Sequence, residues 1–295
     1  LIPVYSYFMP RITRTVTYLT QSNRSEPKDG LSLVRTLYAF ARTVREVTPE
    51  TKGFLDRSLE PEYGLLVPPS HGHLFTYVAH RPVPANNLGP HLDPDLFDLA
   101  DSFYRAVDSQ EAIEILSELQ VRYFVTSLSL LNPGTFAQAV HRRNDISSIR
   151  QRSRSTGRVR LIAAGPKNGR PIELVGPPER RSLLPPLKLF EFVEGAVLVA
   201  QVEPNALAVA RLELRTPRGT SRHSVSQRAD ESGLLRLRVP YPSETGGPDR
   251  PPIHAVGVWR VYIGNDRYDV IVGENDVQEG HEVDLGSPVR RALDE

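Results

Sequence analysis

Apolar residues in the first half of the chain recur mostly at helical spacing. Residues 31–47 and 95–107 each place their leucine, valine and phenylalanine side chains on one stripe, which predicts two amphipathic helices. Asp108 followed by Glu111 resembles a capping box and predicts the start of a third helix. The runs 63–67 and 121–126 are short and apolar, which is typical of strands, so this half is predicted to be α/β.

After residue 159 the pattern changes to short runs rich in β-branched residues and bounded by proline, glycine and asparagine. No helix is predicted there. Seven strands are predicted, at 187–193, 196–202, 207–214, 234–239, 255–263, 267–272 and 281–285. Their number and spacing favour a sandwich or a barrel-like domain. The predicted fold is therefore an α/β N-terminal domain followed by an all-β domain, α+β overall.

Changes in composition suggest four segments. They are a lead-in with an amphipathic helix (1–53), an α/β core (54–143), a basic linker with short strands (144–186) and the β-rich domain (187–295). The linker includes the basic, serine-rich stretch 144–160, which is interpreted as a linker or solvated loop. The alternative for its arginines is binding of phosphate or anionic lipid head groups, which the missing aromatic residues and periodicity disfavour.

The stretch 63–87 is the candidate site because a predicted strand leads there into a turn rich in proline and then into a short helix. Ser70, His71, Gly72 and His73 occupy the turn and the start of the helix. Such a turn presents backbone N–H groups and small polar side chains on a rigid support, which suits ligand contacts.

Composition limits the classes of function. The chain has 295 residues and a formal net charge of +1, so bulk charge does not favour nucleic acid as a partner. It contains no cysteine, which excludes a disulfide framework and thiolate metal sites. No run of about 18 apolar residues occurs. Because the sequence begins at Leu1 rather than methionine, we expect a fragment of a longer protein.

Several motifs resemble one protein family. Tyr63-Gly64-Leu65, Gly72-His73 and the run 81–87 (RPVPANN) are similar to the region around the Trp-Trp-Asp-Tyr-Gly motif of oligosaccharyltransferase catalytic subunits, of the archaeal and bacterial type. The runs 109–126, 187–195, 233–241 and 277–283 resemble later parts of the same C-terminal region in the same order. The resemblance therefore covers residues 54–285.

The centre of the family motif is degenerate. By position the two tryptophans fall on Pro68 and Pro69, the aspartate on Ser70 and the tyrosine on His71, so that only Gly72 matches. A second family motif, Asp-x-x-Lys or Met-x-x-Ile on a kinked helix, has no match in residues 128–140.

The resemblance implies a function. Members of the family transfer an oligosaccharide from a lipid carrier to asparagine in Asn-x-Ser/Thr, and their soluble domain holds the acceptor. It implies acceptor contacts at Ser70, His71, Gly72 and His73, with no catalytic residue, metal or other cofactor in this chain. The divalent metal is expected only in a transmembrane part of the protein. That part, an acceptor polypeptide and a lipid-linked oligosaccharide are the implied partners.

The implied location is the extracytoplasmic (periplasmic) face of the membrane, in a multi-pass protein, and the chain alone is expected to be inactive. One alternative is a non-catalytic homologue that acts as a periplasmic binding or scaffold module. A free-standing carbohydrate-binding sandwich is disfavoured because the β-rich half lacks aromatic clusters. A metal site at His71 and His73 is also disfavoured, since zinc needs three or four converging ligands.

Overall fold

The computed structural model describes residues 29–56, 58–142, 156–165, 172–173, 183–217, 219–243 and 251–289. The helical stripe predicted at 31–47 forms helix α1, Asp29–Val47. The capping prediction is also confirmed, since the Asp108 carboxylate accepts hydrogen bonds from the N–H groups of Gln110 (2.7 Å) and Glu111 (3.3 Å). Helix α5 (Ser109–Glu118) begins at the next residue.

The rest of the first half alternates short strands with helices. In chain order it contains β1 (Gly64–Leu66), a 3₁₀ turn (Pro69–His71), α2 (Gly72–Ala79), α3 (Gly89–Leu92), α4 (Pro94–Arg105), α5 (Ser109–Glu118), β2 (Val121–Ser127), a second 3₁₀ turn (Leu128–Leu130) and α6 (Phe136–Arg142).

The first sheet combines strands from both halves of the chain. Strands β3 (Val159–Gly165) and β6 (Leu187–Phe192) join it, and the order is β1-β2-β6-β3. Strands β1 and β2 are parallel, while β6 runs antiparallel to both β2 and β3. Side chains alternate between the two faces of this sheet. Leu65 and Val125 pack with α1 and α2, whereas Leu66 and Phe124 pack with α4, α5 and α6.

The remaining elements are mostly strands. They are β4 (Ile172–Glu173), β5 (Leu183–Leu184), β7 (Ala196–Gln201), β8 (Leu207–Thr216), β9 (Gly219–Arg228), β10 (Leu234–Val239), β11 (His254–Ile263), β12 (Asp266–Val270), helix α7 (Glu274–Glu279) and β13 (Glu282–Asp284). They form a three-stranded sheet β10-β7-β13, a four-stranded antiparallel sheet β12-β11-β8-β9 and the pair β4-β5.

One hydrophobic core continues from the first sheet into the β-rich half. Phe103 and Phe124 belong to the same buried cluster as Leu198, Leu237 and Trp259. Trp259 is fully buried, and its indole N–H donates to the carbonyl of Tyr241 at 2.8 Å. This tryptophan is therefore a core residue.

A buried charge network joins the same two regions. The Glu191 carboxylate on β6 accepts hydrogen bonds from Arg122 on β2 and Arg160 on β3, each with its Nε at 2.9 Å. Arg160 also binds Glu274 of helix α7 through Nη1 and Nη2, at 2.9 and 2.6 Å. Burial acts to raise the pKa of Glu274, but the hydrogen bond and charge of Arg160 outweigh it and lower that pKa.

The predicted α+β class and the β-rich second half are confirmed, and all seven strands predicted from residue 187 onward are present. The expectation that no helix follows residue 159 is wrong, because Glu274–Glu279 is helix α7. Strand β9 was not predicted. Residues 1–28, and the basic stretch up to residue 155, lie outside the described residues, and the four segment boundaries stay a prediction. Among the described helices, none combines the length and apolarity of a membrane span.

Candidate functional site

The predicted turn is a 3₁₀ turn that leads directly into helix α2. Strand β1 ends at Leu66, and the N–H of His71 then donates to the carbonyl of Pro68 at 2.8 Å. Pro69 is the first residue of the turn, where its fixed φ suits a helical conformation and its missing N–H costs no hydrogen bond. We call residues 68–73 the corner. It follows the carboxyl end of an edge strand and packs against α4.

Another part of the chain passes so close to Gly72 that a side chain would not fit at this position. Its φ of −51° is ordinary for a helix, so the turn itself does not require glycine. A Cβ at this position would lie 2.5 Å from the carbonyl oxygen of Ala85 and 2.7 Å from Cβ of Asn86. The segment 82–87 therefore packs directly on the start of α2, and it is also bound to β1 by the hydrogen bond from Leu65 N–H to Pro82 O (2.8 Å).

Arg81 holds this segment to the ends of two helices. Its side chain is buried and donates from all five N–H groups. Four acceptors are backbone carbonyls at the carboxyl ends of α1 and α2, namely those of Arg45 (3.2 Å), Thr48 (2.7 Å), Ala79 (3.2 Å) and His80 (2.9 Å). A cation suits this place because helix carboxyl ends carry partial negative charge. Arg81 thus fixes the corner against α1.

The side chains of the corner differ in exposure. Ser70 is exposed, His71 and His73 are half-buried, and Gly72 is buried. The Ser70 hydroxyl lies 3.4 Å from Nδ1 of His71, and Nε2 of His71 is buried without a hydrogen-bond partner. Burial lowers the pKa of both His71 and His73, which favours their neutral forms at pH 7. Neutral imidazole and hydroxyl groups both donate and accept hydrogen bonds, which suits contacts with peptide amides.

A metal ion finds no ligand set at the corner. In the part of the chain that the structure describes, no three histidine or carboxylate side chains converge in a way that could hold a metal ion. His80 is occupied elsewhere: it ends α2 in a left-handed conformation (φ 54°), and its ring stacks on Phe54 with centroids 4.9 Å apart. The absence of a metal or other cofactor from the whole chain stays a prediction.

A groove at the carboxyl end of α2 was not predicted. It has a volume of about 530 Å³ and lies between α1 and α2. Its lining combines aromatic and charged side chains of both signs: Tyr38, Arg42, Arg45, Glu46, Glu50, Tyr77, Val78 and His80. The helical spacing of Tyr38, Arg42 and Arg45 was visible in the sequence, but the approach of Tyr77 depends on the packing of two helices and was not.

Residues 195–283, which contain β7 to β13, match the family model of the archaeal glycosylation protein B long peripheral domain. The chain also shares its fold with an archaeal oligosaccharyltransferase. The predicted resemblance to the C-terminal region of oligosaccharyltransferase catalytic subunits is therefore confirmed. No curated protein matches the chain at the level of sequence.

Three similar solved structures are of the oligosaccharyltransferase AglB from Archaeoglobus fulgidus. One, in complex with an inhibitory peptide and a dolichol-phosphate, has a TM-score of 0.58 and 15% identity over 95% of this chain. A second, tethered to an acceptor peptide with an NVT sequon, has a TM-score of 0.60 and 15% identity over 88% of this chain. The apo form gives 0.59 and 15% identity over 95%. This chain covers 46%, 44% and 49% of those chains, respectively.

At 15% identity this likeness is one of fold. The corner lies outside residues 195–283, so Ser70, His71, Gly72 and His73 stay predicted site residues.

Proposed function

We propose that the chain is the extracytoplasmic C-terminal domain of an oligosaccharyltransferase-like membrane glycosyltransferase. Its contribution is a scaffold and a contact surface for the acceptor polypeptide. The observation that carries the proposal is the fold shared with archaeal AglB, combined with the match of residues 195–283 to the long peripheral domain of that family. A membrane-embedded part of the same protein would supply the lipid-linked oligosaccharide, the metal and the reacting groups.

The corner is the proposed acceptor contact. Ser70 is exposed at the end of a turn. The turn is rigid because Gly72 packs against residues 85–86 and because Arg81 holds the segment 82–87 to α1. A rigid support lowers the entropy cost of binding a flexible peptide. The AglB structure with a tethered NVT peptide supports the proposal that a peptide binds to this class of protein.

The side chains present at the corner suggest weak discrimination of the sequon hydroxyl. Strong selection for a hydroxyl needs a buried acceptor that is left unpaired when the wrong peptide binds. Ser70 is exposed and uncharged, and Pro68 and Pro69 offer small walls without an N–H donor. We therefore propose that this domain does not read Asn-x-Ser/Thr through the carboxylate and indole pocket that the family motif implies.

Peptide titrations test this proposal directly. The full chain is titrated with matched peptides that contain Asn-x-Thr or Asn-x-Val, followed by calorimetry or fluorescence anisotropy. We expect the two affinities to agree within about threefold, because no buried carboxylate selects the hydroxyl. A hydroxyl preference of a hundredfold or so that Ser70→Ala abolishes would contradict it. Ser129→Ala, a serine substitution outside the corner, is the control.

The degenerate motif also favours a second candidate, a non-catalytic homologue that serves as a periplasmic binding or scaffold module. Expression of the full-length protein in cells without their own transferase separates the two candidates. Glycan attached to an asparagine of a reporter peptide supports the enzyme. A reporter that stays unmodified although the full-length protein is folded and in the membrane supports the module.

A further inference from the structure

The solvent side of the four-stranded sheet carries a dense set of arginines. We call it the arginine face, and it is formed by the outward side chains of β8, β9, β11 and β12. All of its arginines are exposed: Arg211, Arg215, Arg222, Arg228, Arg260 and Arg267. The same face holds two carboxylates, Glu213 and Asp269. Its excess of cations contrasts with the net charge of +1 for the whole chain.

The strand register sets charges of both signs opposite one another on this face. Arg211 on β8 lies directly opposite Arg260 on β11, a like-charge pair that destabilises a sheet. Arg260 also lies opposite Asp269 on β12, and Arg222 lies opposite Glu213. Among the residues that the structure describes, Arg267 is the one member of the face that forms an ion pair with a carboxylate, Asp269, at 2.8 Å. Six arginines against two carboxylates leave the face with a formal excess of four positive charges.

The shape of the face indicates the kind of partner. Four strands with a spacing of about 4.8 Å and a length of up to ten residues give a surface of roughly 14 by 33 Å. The arginines are distributed over this surface and do not converge in a pocket, which suits an extended anionic surface better than one phosphate group. The guanidinium of Arg211 lies over the Tyr262 ring, 5.0 Å from its centroid, so that this ring supports a cation.

A protein partner would need a buried apolar or aromatic centre on the face. The outward apolar and aromatic side chains here are Leu207, Val209, Val256 and Tyr262, and none of these four is buried. We infer that the arginine face docks on the anionic head groups of a lipid bilayer and so holds the β-rich half of the chain against the membrane surface.

Vesicle binding tests the inference. The full chain is sedimented with vesicles of phosphatidylcholine alone and with vesicles that also contain about 30% phosphatidylglycerol, at about 0.1 M salt. We expect binding to the anionic vesicles only, and its loss at high salt. The triple variant Arg211→Gln, Arg222→Gln and Arg260→Gln should bind the anionic vesicles at least about tenfold more weakly, because each basic residue near the surface adds to the attraction.

A matched variant controls for net charge. Lys52→Gln, Arg105→Gln and Arg142→Gln remove the same number of positive charges from exposed positions outside the face. This control should keep the affinity of the original chain within about twofold, since none of the three residues belongs to the strands of the face. Thermal melts of both triple variants establish that they are folded, which exposed substitutions should not prevent.

Three results would overturn the inference. They are no binding of the original chain to anionic vesicles, an equal loss in both triple variants, and binding that survives in the face variant, as it would if the basic stretch 144–160 were responsible. Competition provides one more measurement: tighter binding of the face to a soluble polyglutamate peptide than to the vesicles would identify an acidic protein as the partner and also overturn it.

Discussion

At the scale of single residues, Gly72 shows how a local motif depends on a distant segment. Ala85 O lies 2.5 Å from where a Cβ of residue 72 would be, and this oxygen belongs to backbone that cannot turn away like a flexible side chain. We expect Gly72→Ala to lower the free energy of unfolding by about 1–3 kcal/mol, because segment 82–87 must shift. Chemical denaturation of the chain measures this change.

Gly64 provides the matched control for this prediction. A Cβ there would meet Val121 at 3.5 Å, an ordinary van der Waals contact, so Gly64→Ala should change the free energy of unfolding by less than about 0.5 kcal/mol. Equal changes in the free energy of unfolding for the two substitutions would show that the close approach at Gly72 does not limit stability.

The burial of His223 should make the free energy of unfolding depend on pH. It is buried against Tyr241 and Trp259, and burial lowers its pKa to about 4. Since the unfolded chain binds a proton near pH 6.5 and the folded chain does not, stability is fully present above about 6.5 and falls as the pH decreases toward 4. His223→Gln should reduce that fall by up to about 1.4 kcal/mol per pH unit.

Urea denaturation of the original chain and of His223→Gln at several pH values between 6.5 and 4 measures this difference. His141, whose pKa burial lowers to about 3, remains in both chains and maintains part of the slope. Identical slopes in the two chains would show that His223 is not responsible.

Local sequence was enough to locate the corner, because strand, proline turn and helix are encoded by neighbouring residues. It was not enough to explain Gly72 or Arg81. The close approach at Gly72 involves residues 85–86, and the acceptors of Arg81 include the carbonyl of Arg45. These contacts exist only after α1 and α2 have packed together. The groove was missed for the same reason.

At the scale of elements, Arg81 connects α1 and α2. Replacing it by alanine leaves buried carbonyls at two helix ends without donors, and each such loss costs about 1–3 kcal/mol. We expect Arg81→Ala to lower the free energy of unfolding by about 3 kcal/mol or more. Hydrogen exchange should also quicken near the end of α1. Arg42→Ala, which breaks one exposed and long (4.0 Å) ion pair, should cost less than about 1 kcal/mol.

A comparably small effect of the two arginine substitutions would contradict the role of Arg81. Arg81→Lys makes the test sharper, since lysine keeps the charge but has three donors and lacks the planar fork. If charge alone mattered, Arg81→Lys would have the stability of the original chain. We expect Arg81→Lys to recover only a minor part of the free energy of unfolding that Arg81→Ala loses.

The elements that were missed have weak sequence patterns for physical reasons. Strand β9 is an edge strand with one face in solvent, and the buried members of its sequence GTSRHSVSQR are His223 and Val225. Helix α7 is one and a half turns long and buries Val277 alone. Neither element has enough apolar positions to show a period. Both are stabilised by pairing or by charge contacts with distant residues.

At the scale of the whole molecule, the two halves are continuous. Strand β6 follows the long connection after β3, yet it lies between β2 and β3 in the first sheet. Strand β7, which follows it directly, belongs to the three-stranded sheet of the β-rich half. The core cluster contains residues of both regions. Residues on both sides of position 187 therefore share one sheet and one core, and the seven strands predicted from that position onward are present.

Glu191 is where this continuity can be tested. Its side chain is 2% exposed and compensates Arg122 and Arg160, and Gln278 of α7 donates to it at 3.1 Å. Glu191→Gln removes the negative charge and leaves the buried Arg160 and the half-buried Arg122 competing for Glu274, so we expect a loss of about 3–5 kcal/mol. Because the network spans both halves, the loss should appear as one cooperative transition at lower denaturant, followed by tryptophan fluorescence for the β-rich half and by circular dichroism for the helices.

The control Glu194→Gln breaks an exposed pair with Arg158 and should cost less than about 1 kcal/mol. Two separate transitions for Glu191→Gln, with the fluorescence midpoint unchanged, would mean that the halves unfold independently.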